Sequence, residues 1–195
     1  MYTSLKLPFR FDPERLTADL GLIAADEWVA HFNKGIYEGD WSGVALRSVG
    51  GQAMQLYPDP TATERFADTE TLGRCPYYRE VLAAFQCPLT SVRLLRLRAG
   101  SSIAEHRDYR LGYEDGEVRL HVPIVTDPGV AFFLAGERVP MAAGECWYLN
   151  VNLPHRVENR SRIDRIHLVI DCVVNEWLAK FFRLEAPGGS DDERA

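Results

Sequence analysis

The pattern of hydrophobic and polar residues changes character near residue 90. Before that point, strand-like segments at Thr3–Phe9 and Val44–Val49 mix with helical ones. A helix is expected to begin after Asp12, because an aspartate suits the N-cap and Pro13 suits the first helical position. Two further short helices are predicted, TATERFADT (61–69) and CPYYREVLAAFQ (75–86), the second beginning at Pro76.

From residue 91 onward the chain breaks into short, partly alternating segments separated by Gly, Pro, Asn and Asp, as is typical of β-strands. About 85 residues hold eight of them: SVRLLRLRAG, SSIAEH, EVRLHVPIV, VAFFLAG, ERVPMAAG, CWYLNVN, HRVENRS and DRIHLVIDCVV. A parallel α/β sheet would need helices between the strands, and the connections are too short for them. The pattern therefore predicts an antiparallel sandwich or jelly roll.

We therefore expect a mainly β fold, a cupin-like double-stranded β-helix (jelly roll) with helices packed from the N-terminal part and one C-terminal helix, NEWLAKFFRL. The single domain is predicted to span residues 1–186, and the composition of the tail PGGSDDERA predicts disorder. The expected divisions are an N-terminal layer, a β-helix core, a C-terminal helix and a disordered tail: 1–89, 90–173, 174–184 and 187–195.

Composition narrows the function classes. The chain has 195 residues, a net charge of −6 and no polybasic block, so nucleic acid is not an expected partner. No apolar run approaches the roughly 18 residues of a membrane span, and the N-terminus has no secretion signal, which favours a cytoplasmic protein. Four widely spaced cysteines are expected to be reduced and buried: Cys75, Cys87, Cys146 and Cys172.

Basic residues cluster in two places, Arg93–Arg98 and Arg156–Arg165. Solvated or ion-paired strand faces would explain both clusters, and a local anion site would do so as well. The sequence leaves these two interpretations open.

His106 and Asp108 form an H-x-D pair. Side chains two residues apart in an extended segment point to the same side, so both could bind one metal. His155 is a candidate third ligand, because Pro154 precedes it and the 47-residue gap from Asp108 allows a neighbouring strand to supply it. Two histidines and one carboxylate are typical of non-haem Fe(II) oxygenases.

Arg165 follows His155 by ten residues, on a strand whose other face carries Ile166, Leu168 and Ile170. A guanidinium deep in the same cavity as the metal would bind a carboxylate, such as the distal carboxylate of 2-oxoglutarate. An ion pair with Asp164 or Asp171 is the alternative.

Arg119 and His121 repeat this arrangement on EVRLHVPIV, opposite Val118, Leu120 and Val122. The alternation predicts a lined cavity, where His121 would contact an anion or orient a metal ligand. A strand with its polar face in water is the alternative.

With these residues assembled, the chain resembles the aspartyl/asparaginyl β-hydroxylase family of Fe(II)- and 2-oxoglutarate-dependent oxygenases. The resemblance runs from about Arg93 to Leu178. Its matching strings are His106-Arg107-Asp108-Tyr109, Arg119-Leu120-His121, Gly144-Glu145-Cys146-Trp147-Tyr148-Leu149, Leu153-Pro154-His155 and Arg165-Ile166-His167-Leu168-Val169-Ile170-Asp171.

The resemblance implies that His106, Asp108 and His155 bind iron and serve catalysis. It also implies that Arg165 anchors 2-oxoglutarate with help from Arg119 and His121. The implied reaction uses O₂ and hydroxylates an unactivated C–H bond, releasing succinate and CO₂.

Two departures from the family pattern bear on the substrate. Members acting on aspartyl residues of secreted domains lack the acid found at Asp108 and carry an arginine at the position of Glu117. The strings HRDY and GECWYLNVNLPH are more similar to the bacterial cis-4-proline hydroxylases, whose C-terminal extension this chain lacks. The expected substrate is an amino acid, free or held on a peptide or carrier, or an aspartyl/asparaginyl-type residue.

Residues next to the proposed ligands are candidates for substrate contact: Tyr109, Arg110, Trp147, Asn150 and Asn152. Core packing is the stronger expectation for Trp147. The loop Leu111–Gly116 could be a lid or a simple hairpin turn, and His31 receives no role.

Two other functions are left open. His155-Arg156-Val157-Glu158-Asn159 has the H-x-x-x-N spacing of many cupins, which would make the protein a metalloenzyme that does not use 2-oxoglutarate. A non-catalytic ligand-binding barrel on a decayed oxygenase scaffold is the second alternative.

Overall fold

Thirteen β-strands in two antiparallel sheets dominate the part of the chain that this computed structural model describes, residues 1–57 and 65–184. All eight strands predicted after residue 90 are present, and the mainly β jelly roll is confirmed. The strands are β1 (Ser4–Arg10), β2 (Val29–Ala30), β3 (Tyr37–Glu38), β4 (Trp41–Val49), β5 (Phe66–Asp68), β6 (Leu89–Leu97), β7 (Ser102–His106), β8 (Glu117–Val125), β9 (Val130–Leu134), β10 (Glu137–Val139), β11 (Glu145–Leu149), β12 (His155–Asn159) and β13 (Arg165–Val173).

The larger sheet has the order β1-β11-β8-β13-β6-β4-β2, with β5 paired to β4. The smaller sheet has the order β10-β9-β12-β7-β3. Strands from before residue 90 therefore extend both sheets: β1 lies at one edge of the larger sheet, and β4 pairs with β6 inside it.

Four α-helices are described: α1 (Pro13–Leu20), α2 (Glu70–Gly73), α3 (Pro76–Ala83) and α4 (Glu176–Leu184). Helix α1 begins as predicted, because Asp12 Oδ1 accepts hydrogen bonds from the backbone N–H of Glu14 (2.9 Å) and Arg15 (3.3 Å). The predicted helix beginning at Pro76 and the predicted C-terminal helix are confirmed as α3 and α4.

The prediction of a helix over residues 61–69 is wrong where it can be checked. Phe66–Asp68 form β5, in register with Arg47–Val49 of β4. Arg47 holds this strand by donating to Asp68 Oδ1 (2.5 Å) and to the carbonyl of Phe66 (3.0 Å). Pairing with β4 thus overrides the local helical pattern. Residues 61–64, and the tail 187–195 for which disorder was predicted, lie outside the described residues.

The two faces of the central strands have different environments. Alternate side chains of β6, β8 and β13 pack with the helices, in a core that includes Leu94, Leu120, Leu168, Tyr78 and Phe182. The opposite faces of these strands turn toward the smaller sheet, where Leu95, Leu97 and Val169 pack with Ile103, Phe132 and Val157. Because strand side chains alternate with period two, Arg93, Arg119 and Arg165 lie on this inner face.

Among the helices that the structure describes, none combines the length and the apolar character needed to cross a membrane. All four cysteines are free and buried, as expected.

Candidate active site

His106 and His155 face each other across two strands of the smaller sheet. They are register partners in the antiparallel pair β7–β12, and their ring centroids lie 4.2 Å apart. Directly opposed residues in such a pair have neighbouring side chains. The prediction that His155 comes from a strand beside the one carrying His106 is therefore confirmed.

Asp108 lies just past the end of β7, where its backbone N–H donates to the carbonyl of Val151 (2.9 Å). The backbone bond brings the carboxylate back toward the two imidazoles. One ligand atom from each of His106, Asp108 and His155 lies within 4.8 Å of the other two. Such a group of two histidines and one carboxylate could hold a divalent transition metal.

Backbone carbonyls orient both imidazoles. The Nδ1 of His106 lies 2.9 Å from the carbonyl oxygen of Ala104, and the Nδ1 of His155 lies 3.0 Å from that of Leu153. Since a carbonyl only accepts, each Nδ1 carries the proton and each Nε2 keeps a free lone pair. This is the usual way in which proteins select the tautomer of a metal-binding histidine.

The protonation states also suit a metal. Burial, together with the nearby charge of His106, lowers the pKa of His155 to about 4. Burial alone would raise the pKa of Asp108, but Arg119 and the two histidines outweigh it and hold that pKa below its usual value. At neutral pH His155 is therefore an uncharged ligand and Asp108 a carboxylate, the forms that bind metal.

Arg119 contacts Asp108 rather than lying free for an incoming anion. Its Nη1 donates to Asp108 Oδ2, while its Nε and Nη2 donate to the two carboxylate oxygens of Asp171 (2.7 and 2.9 Å). Asp171 also accepts from Arg93 Nη2 (2.7 Å). Three of its five N–H donors are thus engaged by carboxylates of the protein and orient Asp108, while its predicted help in binding 2-oxoglutarate stays a prediction.

Arg165 is buried on the same inner face and lacks a carboxylate partner among the described residues. Its side chain is 2% exposed, Nη2 contacts His167 Nδ1 (2.9 Å), and Nε has no hydrogen-bond partner. The predicted alternative, an ion pair with Asp164 or Asp171, is absent from these contacts. Burial lowers the pKa of Arg165 to about 9, so the guanidinium is still charged at neutral pH.

His121 lies beside this guanidinium, and its buried Nε2 has no partner either. Its Nδ1 lies 3.4 Å from that of His167. Burial and the charge of Arg165 hold the pKa of His121 well below its ordinary value, so the ring is neutral. One cavity is lined by the three candidate ligands together with Arg119, His121 and Arg165.

A second cavity of about 700 Å³ adjoins the candidate ligands. It shares His106, Asp108 and Arg119 with the first cavity and extends to the protein surface. The remaining lining includes Arg93, Asp171 and the aromatic side chains of His31, Phe32, Trp41, Tyr57 and Tyr109.

The predicted substrate residues divide into two groups. Tyr109 and Arg110 line the larger cavity. Trp147, Asn150 and Asn152 do not. Trp147 Nε1 donates to Glu145 Oε2 (2.9 Å), and buried Asn150 donates to the carbonyl of Tyr2 (3.1 Å). These contacts are structural, and the structure does not bring this second group to the cavity with Tyr109 and Arg110.

Asn152 secures the loop Leu111–Gly116. Its Oδ1 accepts from the backbone N–H of Leu111 (3.2 Å), and its Nδ2 donates to Asp115 Oδ2 (2.5 Å). Tyr113 in the same loop is stacked on Phe182 of α4, with ring centroids 4.2 Å apart. The loop is therefore an anchored wall of the larger cavity, to which Leu111 and Asp115 contribute.

Sequence reasoning missed the roles of several cavity residues. Arg93 was seen only as part of a basic cluster, although it precedes Leu95 and Leu97 on the same strand face, as Arg165 precedes His167 and Val169. That alternation was the available signal. Trp41 carried no such signal, because its place beside the candidate ligands depends on how β4 pairs with β6. Tyr57 follows β4 in the chain, and its place depends on its contact with His31.

The H-x-x-x-N spacing of cupins has a structural explanation. Asn159 is 1% exposed, and its Nδ2 donates to the carbonyls of Leu97 (3.0 Å) and Ile163 (2.9 Å). It therefore fastens the turn after β12 and does not approach the candidate ligands.

Two histidines and one carboxylate inside a double-stranded β-helix define the class of non-haem iron oxygenase folds. Comparison with known sequences then identifies the group within that class. Residues 15–174 match the aspartyl/asparaginyl beta-hydroxylase family, and the chain belongs to this family. The predicted resemblance is confirmed.

Among curated relatives, the L-proline cis-4-hydroxylase of Rhizobium meliloti (strain 1021) is 28% identical over 177 residues. The match covers 89% of this chain and 62% of the relative, so the chain spans less than two thirds of that protein's length.

Two solved structures are similar in fold. A 2OG-Fe(II) oxygenase family oxidoreductase from Burkholderia pseudomallei has a TM-score of 0.54 at 17% identity, over 89% of this chain and 86% of that one. A prolyl-4-hydroxylase from Pseudomonas putida has a TM-score of 0.50 at 15% identity, over 90% and 94%. At these identities the similarity concerns the fold alone.

Proposed function

We propose that this protein is an Fe(II)- and 2-oxoglutarate-dependent oxygenase that hydroxylates a C–H bond of a small amino acid of the proline type. His106, Asp108 and His155 are the iron ligands in this proposal, and Arg165 binds the distal carboxylate of 2-oxoglutarate. Membership of the aspartyl/asparaginyl beta-hydroxylase family and the cis-4-hydroxylase relative support the reaction class.

The observation that carries the proposal is the buried charge of Arg165. A guanidinium removed from water is costly unless a carboxylate or comparable group compensates it. Asp171 is occupied by Arg93 and Arg119, so within residues 1–57 and 65–184 Arg165 has a hydrogen-bonding contact with His167 only. A dicarboxylate that enters the cavity would supply the missing negative charge.

The residues that line this cavity also match the two ends of 2-oxoglutarate. At one end, the three candidate ligands leave coordination positions for a chelating 2-oxo acid. At the other end, Arg165 Nε and His121 Nε2 are buried atoms that have no hydrogen-bond partner in the described ranges, and they could bind the distal carboxylate. Both ends line the same cavity, between the two sheets.

The protein's own residues bind, orient and exclude water. The iron, when bound, supplies the O₂ chemistry that removes hydrogen from an unactivated carbon. Arg119 holds the carboxylate of Asp108 in place, and the carbonyls of Ala104 and Leu153 hold the imidazoles. Apolar side chains that include Leu95, Ile103, Phe132, Val151 and Val157 line the rest of the inner cavity and keep it dry.

The first test is spectroscopic. Under anaerobic conditions, Fe(II) and 2-oxoglutarate should together produce the visible metal-to-ligand charge-transfer band of a chelated 2-oxo acid. His155→Ala should abolish the band. If the band is missing from the wild-type protein, or is unaffected by His155→Ala, the proposal is wrong.

Arg165→Ala separates co-substrate binding from iron binding. We expect a higher dissociation constant for 2-oxoglutarate and unchanged binding of Fe(II), because Arg165 does not touch the candidate ligands. Arg156→Ala is the matched control. That arginine stacks on Phe133 in the smaller sheet, with its guanidinium carbon 3.6 Å from the ring centroid, and it lies outside the cavity. Equal loss of iron and 2-oxoglutarate in Arg165→Ala would make Arg165 a structural residue.

Turnover distinguishes an oxygenase from a non-catalytic ligand-binding protein. Succinate release should depend on O₂ and rise when the correct amino acid is added, and L-proline is the first to test. A panel of free amino acids and short peptides would then define the substrate. A charge-transfer band without any turnover would favour the non-catalytic alternative.

A further inference from the structure

Three buried donor groups that line the larger cavity lack hydrogen-bond partners among the residues that the structure describes. They are Trp41 Nε1, Tyr57 Oη and Arg93 Nε. Trp41 is 7% exposed and Arg93 is 2% exposed. The same cavity is lined by His106 and Asp108, so these donors belong to the chamber next to the proposed iron.

Unpartnered donors of this kind are uncommon in folded proteins, because each buried polar group without a partner costs free energy. Three different residue types contribute them here, and all three line the same cavity. Burial raises the pKa of Tyr57 to about 12, so its hydroxyl keeps its proton at neutral pH. These donors therefore call for a hydrogen-bond acceptor, which a ligand would supply.

The charge balance of the chamber favours an anionic acceptor. Arg93 and Arg119 share the single carboxylate of Asp171, and Arg119 also donates to Asp108. Two guanidinium groups thus face two carboxylates. A bound divalent metal adds two positive charges, of which the chelating carboxylate of 2-oxoglutarate offsets one. One positive charge then remains in the chamber that Arg93, Arg119 and the candidate ligands line.

The neighbouring wall is aromatic. His31 is stacked on Trp41 with ring centroids 3.6 Å apart, and Tyr57 meets His31 edge-on at 5.0 Å. Burial lowers the pKa of His31 to about 4, so this ring is neutral and adds no charge. Such a wall suits the apolar body of a small molecule whose anionic end reaches Arg93.

We propose that Arg93, Trp41 and Tyr57 form a subsite for one carboxylate of the substrate. This inference rests on the proposed function and specifies the substrate class as a small carboxylic acid with its carboxylate free. The α-carboxylate of a free amino acid supplies this group, and so does the side chain of an aspartyl residue in a peptide. A proline residue inside a peptide does not.

The test compares ligands that differ only in that group. Binding to the anaerobic Fe(II)–2-oxoglutarate form is followed by the shift of the charge-transfer band and by thermal unfolding. The ligands are free L-amino acids beginning with L-proline, the matching α-amides, and an aspartyl dipeptide blocked at both ends. At least one carboxylate ligand should bind, and its amide should bind about 10-fold or more weakly, since a hydrogen bond to a charged group is lost.

Two conservative variants assign that difference to the subsite. Tyr57→Phe removes only the hydroxyl, and Trp41→Phe removes the indole N–H while keeping an aromatic ring. Each should weaken binding of the carboxylate ligand by about 10-fold and leave the amide nearly unaffected. Neither should change the charge-transfer band before the ligand is added. Tyr37→Phe is the control, because Tyr37 belongs to the same aromatic cluster but does not line the cavity.

The outcomes separate the two proposals. A wild-type protein without the charge-transfer band contradicts the proposed function, and thermal unfolding still tests the subsite. If the band is present, three results would overturn the subsite: amides that bind as tightly as acids, no binding of any carboxylate ligand, or wild-type affinity in both variants. A peptide aspartate that binds while free amino acids do not would keep the subsite and change the source of the carboxylate.

Discussion

Arg119 binds Asp171 through two parallel hydrogen bonds, from Nε to Oδ1 (2.7 Å) and from Nη2 to Oδ2 (2.9 Å). The two residues are register partners on the adjacent strands β8 and β13. Arg119 also donates to Asp108, and Asp171 also accepts from Arg93. One carboxylate therefore links a proposed iron ligand to the arginine of the proposed substrate subsite.

Arg119→Lys should weaken Fe(II) binding. An ammonium is a single charge without the planar fork, so it cannot hold Asp108 and Asp171 together. Loss of a group that orients a metal ligand typically costs about 10- to 100-fold in metal affinity. Anaerobic titration with Fe(II) measures the change. Arg47→Lys is the matched control, since Arg47 holds Asp68 far from the candidate ligands, and equal affinity in the two variants would contradict the role given to Arg119.

Asp171→Asn should destabilise the fold. Asp171 is 4% exposed, and its removal leaves the buried charges of Arg93 and Arg119 with less compensation. Breaking a buried ion pair from one side costs about 3–5 kcal/mol. Urea unfolding measures the free energy, with Glu176→Gln as a control because its pair with Arg183 is exposed. If Asp171→Asn unfolded at the same urea concentration as Glu176→Gln, this network would contribute little to stability.

Asn152→Ala should impair substrate use without affecting iron or 2-oxoglutarate. The change frees Leu111 and Asp115 from the side chain that secures their loop, and both residues line the larger cavity. We expect a higher KM for the amino acid and an unchanged charge-transfer band. Ser161→Ala, which loosens the turn at the other end of β12, should leave KM unchanged. A weaker band in Asn152→Ala would instead indicate that the loop supports the metal ligands.

Stability of the metal-free protein should fall as the pH drops below about 6.5. Burial lowers the pKa of His31 and His155 to about 4, and that of His121 and His167 well below the ordinary value. Between these values and about 6.5 the unfolded chain binds protons that the folded chain does not, so unfolding is favoured by up to about 1.4 kcal/mol per pH unit for each histidine.

Urea unfolding at several pH values measures this slope. His31→Phe should reduce the slope by up to about 1.4 kcal/mol per pH unit, which corresponds to one proton, because one titrating group is removed while the stack on Trp41 is kept. The aspartates with lowered pKa, Asp108 and Asp171, act in the same direction but only at lower pH, near and below about 4. A stability that stays flat from pH 7 to pH 5 would contradict the burial of these histidines as neutral rings.

Much of the fold follows from local pattern. Period-two alternation and the turn residues between segments predicted all eight strands after residue 90, and the Asp12–Pro13 pair predicted the start of α1. The failure at Phe66–Asp68 is equally instructive. Nothing in that segment indicates that Arg47 on another strand will bind Asp68 and fix an extended conformation.

The candidate ligands were predictable because a metal site is built from few residue types. Only five histidines exist in the chain, and the H-x-D pair and the Pro-His step distinguish His106 and His155 among them. Trp147, Asn150 and Asn152 show the limit of that reasoning. Sequence proximity to a ligand does not determine the direction of a side chain, and these three point to structural partners.

Taken alone, the sequence determined that His106, Asp108 and His155 could bind a metal and that Arg119, His121 and Arg165 lie on polar faces of apolar strands. Tertiary structure decided which charges meet. The order β8-β13-β6 sets Asp171 between Arg119 and Arg93, and within the described part of the chain this leaves Arg165 without a carboxylate. The physical reason is that ion pairing is settled by strand neighbours and register, which join residues far apart in the chain, whereas alternation within a strand is local.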